Sequence, residues 1–148
     1  MPTDSSRQLV VFSLGDEEYA LPITQVHEII RWIEPRSVAS DHAWVRGVIS
    51  LRGKIVPVHD LAVRLGLHAE RPAHAKIVIV EMADGVAGVI VDDVEEVLTV
   101  DADQLDTVPT AGDPAIEGIA KIGQRLVVVL DPQALFGRAT ALEVAEAA

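Results

Sequence analysis

Hydrophobic positions along this chain fall into short aliphatic runs broken by glycine, proline and charged clusters, a spacing that predicts strands rather than long helices. Residues 8–14 (QLVVFSL) predict a strand, 15–17 a turn and 18–21 the returning strand. Ile23, Val26, Ile30 and Ile33 have helical spacing, but the corresponding stretch in the second half, 94–100 (VEEVLTV), is richer in β-branched residues. The reading is therefore a helical turn over 22–25 and a strand from 26 to about 32. Residues 34–43 form a loop, with Pro35 restricting the residue before it. The stretch 47–66 (GVISLRGKIVPVHDLAVRLG) is the organising unit. Strands at 48–51 and 55–58 meet across Arg52-Gly53-Lys54, where Gly53 supplies the positive φ of a tight reversal. Asp60 stands as N-cap of a helical turn over 61–65, Gly66 fits the left-handed C′ position, and Leu67 folds back on the turn.

The pattern occurs twice. Gly47, Val56, Val58, Asp60 and Gly66 recur as Gly118, Val127, Val129, Asp131 and Gly137, an offset of 71 (118 − 47). Upstream, residues 9–12 match 77–80, Asp16 matches Asp84 and 26–30 match 94–98, at an offset of 68 (77 − 9). The second half accordingly predicts a hairpin of 76–81 with 86–91, a helical turn at Asp92-Asp93, a strand over 94–100 and a polar loop over 101–115. A disordered leader over 1–7 and an alanine-rich helical tail over 138–148 flank the repeat. The expected fold is mainly β. Two small lobes, roughly 8–67 and 75–137, each hold about five strands, the content of a closed barrel. A duplicated pair also permits the halves to exchange a strand.

A length of 148 residues suits one domain with a real core. Hydrophobic residues make up 49% and aromatics 3%, so the core is built from Val, Ile, Leu and Ala. The net charge of −11 opposes nucleic-acid binding, which needs a basic face. The absence of cysteine excludes disulfides and thiolate chemistry and fits a reducing cytosol. With no apolar signal region near the start and no run long enough to span a bilayer, a cytoplasmic protein without direct membrane insertion is expected.

Catalytic patterns fail one by one. The histidines at 27, 42, 59, 68 and 74 lack zinc-hydrolase spacing. His59 and Asp60 are strand neighbours facing opposite ways, a poor dyad, and read as a satisfied or exposed histidine beside a helix cap. Asp101-x-Asp103 opens like a calcium loop but continues with Leu105 and Asp106 and carries Gly112 in place of the bidentate glutamate. Ser50 lacks the flanks of a nucleophile elbow, and Asp92-Asp93 with Glu95-Glu96 read as a solvated acidic edge. No enzyme, metal or cofactor is expected. The alternative from a different class, a small-ligand-binding barrel, needs convergent aromatic and polar groups, whereas Phe12, Tyr19, Trp32, Trp44 and Phe136 are scattered.

Residues 45–67, with the pattern VxGVxxLRGxIxPVxDLxxxLGL, resemble the signature of the CheW family of chemotaxis coupling proteins. Phe12-x-Leu14-Gly15-x-Glu17-x-Tyr19, Val26-x-Glu28-Ile29 and the block 118–136 also fit, so the resemblance covers about 8–137. Two departures are His42, where relatives commonly carry proline, and Ser50, where they often carry asparagine. The resemblance implies two SH3-like five-stranded barrels and a non-enzymatic adaptor. Its partners would be the cytoplasmic tips of chemoreceptors and the regulatory domain of the histidine kinase CheA, in arrays at the inner membrane. It places partner contacts at Val26, Glu28, Gly47, Ser50, Arg52 and Gly53. Arg52 is the central side chain of this set, because the hairpin tip projects it outward and the second copy has Gly123 at its place. An Arg52–Glu28 ion pair is expected there.

Overall fold

The computed structural model describes residues 6–67, 72–83, 85–106 and 115–136. The expected leader up to residue 5, Asp84, Gly112, Gly137, His68 and the 138–148 tail lie outside them. The first half contains β1 (Arg7–Leu14), β2 (Glu17–Pro22), a 3-10 turn (Ile23–Gln25), β3 (Val26–Arg31), β4 (Val45–Leu51), β5 (Lys54–Asp60) and α1 (Leu61–Arg64). The second contains β6 (Lys76–Met82), β7 (Gly85–Val91), β8 (Asp93–Val100), a 3-10 turn (Ala102–Gln104), β9 (Leu105–Asp106), β10 (Ile116–Ile122) and β11 (Arg125–Leu130), followed by a helical turn over 132–136. Arg7, expected in the leader, already belongs to β1.

Both predicted caps form. Asp60 accepts from the Val63 N–H, and Asp131 accepts from the Gln133 N–H. Their own amides donate to equivalent carbonyls, Trp44 and Ala115, at 2.7 and 2.8 Å. After α1, Gly66 adopts φ +76, its N–H bonds to Val63 O, and the Leu67 N–H bonds to Ala62 O. This is the paired arrangement of a Schellman stop. The helical turn expected at Asp92-Asp93 does not form. Asp92 instead bonds the first hairpin, accepting from the Gly15 N–H at 2.7 Å and donating its own N–H to Ser13 O. Tertiary hydrogen bonds replace the local ones.

The strands build two sheets, ordered β8-β1-β2-β11-β10-β9 and β3-β6-β7-β5-β4. The contiguous lobes expected over 8–67 and 75–137 are therefore not the spatial ones. Each half lends its leading hairpin to the other: β1–β2 lies between β8 and β11, and β6–β7 lies between β3 and β5. With the repeat offsets applied, the two orders are the same, down to the parallel pairs β2–β11 and β5–β7. The exchanged hairpins are the ones buried on both faces. In β6, Ile77 and Ile79 enter the core of the five-stranded sheet, while Val78 and Val80 enter a core shared with Phe12, Leu14, Tyr19 and Leu21 of the other sheet. In β1, Leu9 and Val11 enter the core of the six-stranded sheet. Burial on both faces is why 8–14 and 76–81 read as continuous apolar runs, whereas the edge strand β3 alternates half-buried and exposed positions.

The SH3-like sheets do not close into barrels. The edge strands β3 and β4, and β8 and β9, make no ladder with each other among the described residues. The outer side of β4 is covered instead by a bridge from Arg36, with Arg36 N–H to Val48 O at 2.8 Å and Val48 N–H to Arg36 O at 2.9 Å. β9 covers β10 in the same way through Ile119 and Asp106. Gly47 and Gly118 make this possible, since a Cβ would stand 2.0 Å from Arg36 O in the first case and 2.7 Å from Asp106 O in the second.

Candidate functional site

The candidate surface lies at the tip of the β4–β5 hairpin, where it meets the edge strand β3. Leu51 pairs with Lys54, leaving Arg52-Gly53 as a two-residue turn. Both have positive φ, +50 and +81, the pattern of a type I′ turn. Arg52 is the one non-glycine residue with positive φ among those described. An arginine is poorly suited to that backbone, which asparagine, aspartate or glycine adopts at lower cost. In the second copy Gly123 alone is positive, at φ +62, so the equivalent hairpin turns differently.

The Arg52 guanidinium engages Glu28 with both terminal nitrogens; Nη2 donates to Oε1 at 2.8 Å and Nη1 donates to Oε2. Its side chain is 70% exposed while that of Glu28 is 22% exposed. The hydrogen bond from Arg52 and its positive charge hold the Glu28 carboxyl below the usual range, and the same bond raises the guanidinium pKa. The pair joins β3 to the β4–β5 tip, that is, the two edges the backbone leaves unjoined. A fixed fork on an open surface still presents its outer face to a carboxylate or a carbonyl of a partner.

The other lobe carries a related clasp that comparing Arg52 with Gly123 did not reveal. Arg125, equivalent to Lys54, bonds Glu18 at 3.1 and 2.9 Å and Glu96, the equivalent of Glu28, at 2.8 Å. The guanidinium comes from two positions further along the hairpin. Each lobe thus ties its hairpin to its edge strand through an arginine and a glutamate, but the first does so from a strained, far more exposed position.

The six residues singled out by sequence do not form one patch. Glu28, Arg52 and Gly53 come together at the tip, and Ser50 is exposed beside it on β4, opposite Ile55. Gly47 is buried under the Arg36 backbone and presents no surface. Val26 is half-buried and packs on the core shared by the two sheets. Val26→Glu is therefore expected to lower the melting temperature by well over a few degrees, since it brings a charge to a core contact; a thermal melt by circular dichroism checks this. Sequence reasoning missed Ile55, which stands 61% exposed next to Lys54 at the tip, and its equivalent Leu126, 60% exposed. Strand alternation sets each on the opposite face from buried Val56 or Val127, but the continuous aliphatic run does not show which face stays wet.

Among the described residues no three His, Asp or Glu side chains are placed to hold a metal ion, and no helix is long and apolar enough to cross a membrane. A surface cavity of about 440 Å³ is lined by Ser6, Arg7, Gln8, Pro22, Ile23, Thr24 and Thr99, without an aromatic ring.

Comparison with known proteins agrees with this architecture. The model of the CheW-like domain matches residues 8–140. The chain is 33% identical to the chemotaxis protein CheW of Bacillus subtilis (strain 168) over 139 residues, covering 90% of this chain and 89% of that protein. It is 31% identical to Protein PilI of Pseudomonas aeruginosa, covering 90% of this chain and 78% of that one. Among solved structures, the scaffolding protein TtCheW from Thermoanaerobacter tengcongensis superposes with a TM-score of 0.82 at 34% identity, covering 92% of this chain and 88% of that chain.

Proposed function

This chain belongs to the CheW-like domain family, and from that premise we propose that it is a non-enzymatic adaptor coupling chemoreceptors to the histidine kinase CheA. It would work in the cytoplasm, at receptor arrays on the inner membrane, in a chemotaxis system or a related motility system. The observation that carries the reading is Arg52, held at positive φ on an exposed tip and fixed in place by Glu28. Strain kept at an exposed side chain that packs no core points to recognition. An adaptor needs two surfaces and no chemistry. The two lobes of this chain present similar hairpins with different tips, and one set of shared strands holds them together.

The test is capture of purified CheA regulatory domain and of receptor cytoplasmic fragments by the immobilised protein, separately and together. Binding of each alone, and of both at once, is the expected result. The receptor fragment captured identifies the array. Failure to bind either, together with a thermal shift by a small molecule, would favour the ligand-binding barrel instead.

A further inference from the structure

The buried side chains of this protein are apolar or aromatic with one exception among the described residues, His59, which is 0% exposed. Neither of its ring nitrogens has a hydrogen-bond partner there. The fold does not require a polar group at this place, because the equivalent residue of the second lobe is Leu130 (59 + 71). His59 sits in a cluster of rings. Its centroid lies 4.5 Å from that of Phe136 and 5.3 Å from that of Trp44, which meets it edge-on, and His42 stacks on Trp44 at 4.7 Å. Trp44 and His59 belong to the first lobe. Phe136 comes from the helical turn that ends the second, and Arg64 of α1 reinforces the junction by donating to Leu135 O at 3.0 Å.

We propose that this ring cluster is a pH-sensitive joint between the lobes, held shut by the neutral imidazole of His59 and opened when acid protonates that ring. A charged imidazole inside the cluster would carry two donors with no acceptor, among aromatic faces and aliphatic side chains. It must leave for water, and it can do so only if Phe136 and the 132–136 turn separate from Trp44. Among the described residues the ionisable groups around it offer no compensation. His42 adds further positive charge when protonated, Asp60 on the same strand is engaged with Arg46 and the Val63 N–H, and Asp131 accepts from Gln133. Arg64, on α1, is itself cationic. Burial, with a smaller contribution from His42, pushes the His59 pKa down to about 4, from an ordinary value of 6.5. The open state then binds a proton that the closed state refuses, so closure is complete above about pH 6.5 and is lost as pH falls towards 4. Across that window opening is favoured by about tenfold per pH unit.

Hydrogen exchange of the full chain between pH 7.5 and 5, corrected for the intrinsic pH dependence of exchange, tests the joint. The protection of Leu135 and Asp60 amides is expected to fall by about tenfold per unit below pH 6.5, while Val78 in the two-face-buried β6 stays protected. In His59→Leu, which copies the second lobe, the joint amides should lose this slope; His59→Met serves if the leucine variant folds poorly. His42→Gln should retain most of it. A flat wild-type profile overturns the proposal, as does an unchanged slope in the His59 variants. A slope shared equally by Val78 would make His59 a determinant of global stability and would equally overturn a local joint.

Discussion

Replacing Gly47 by alanine is expected to destabilise this protein on the order of 3 kcal/mol, an effect unusual for the addition of one methyl group. Two costs combine at this position. The backbone holds φ +145, where side chains are strained, and the new Cβ would lie 2.0 Å from the Arg36 carbonyl oxygen. That oxygen belongs to backbone and cannot swing aside as a side-chain tip can. Relief requires Arg36 to withdraw, which breaks both bonds of the Arg36–Val48 bridge and uncovers the edge of β4. Gly53→Ala is the internal control. It has φ +81 but nothing within 4 Å of a Cβ, so the conformational cost alone remains, about 1–2 kcal/mol. Denaturant unfolding of the two variants side by side decides the matter, and equal destabilisation would show that the bridge yields without cost. Gly118→Ala, facing Asp106 O at 2.7 Å but without a positive φ, keeps the steric cost alone and should destabilise less than Gly47→Ala.

The second large effect is expected on binding rather than stability. Arg52→Asn should keep the fold and raise the melting temperature slightly, because Asn-Gly is a preferred pair for a type I′ turn and arginine is not. The same variant should weaken capture of at least one partner by about tenfold or more, since the guanidinium fork is gone. A gain in stability accompanied by a loss of binding is a pattern that partial unfolding cannot produce. Arg52→Glu sharpens the contrast by setting two carboxylates against each other at Glu28. Isothermal titration against receptor fragment and kinase domain, measured separately, reads the result; wild-type affinities for both partners would remove Arg52 from the interface. Loss of one partner alone would assign the β4–β5 tip to that partner.

Much of the architecture was legible in the residues. The repeat, both aspartate caps, the glycine stop after α1 and nearly every strand follow from local chemistry, because hairpins, caps and helix stops are closed by bonds within a few residues of each other. The Arg52–Glu28 pair was legible as well, from the hairpin tip and the family resemblance together. Where reasoning from sequence failed, the deciding contact was distant. Asp92 abandons a local turn for Gly15, 77 residues away, and Arg125 reaches Glu18 across 107 residues. Neither partner is marked by any spacing along the chain.

By itself, then, the sequence determined a duplicated, aliphatic, mainly β protein with an exposed arginine at the tip of the β4–β5 hairpin. Only the tertiary structure decided which half each hairpin serves, because both halves carry the same strands and either copy can complete either sheet. It also decided that the sheets stay open, with arginine–glutamate clasps and glycine-backed edge bridges in place of ladders. The fate of His59 was decided there too. Strand alternation fixes that it faces opposite to Asp60, but only packing against Trp44 and Phe136 makes that face a dry one. Backbone preference acts over a few residues, whereas exclusion of water is a property of surfaces that meet, and those surfaces come from different halves of this chain.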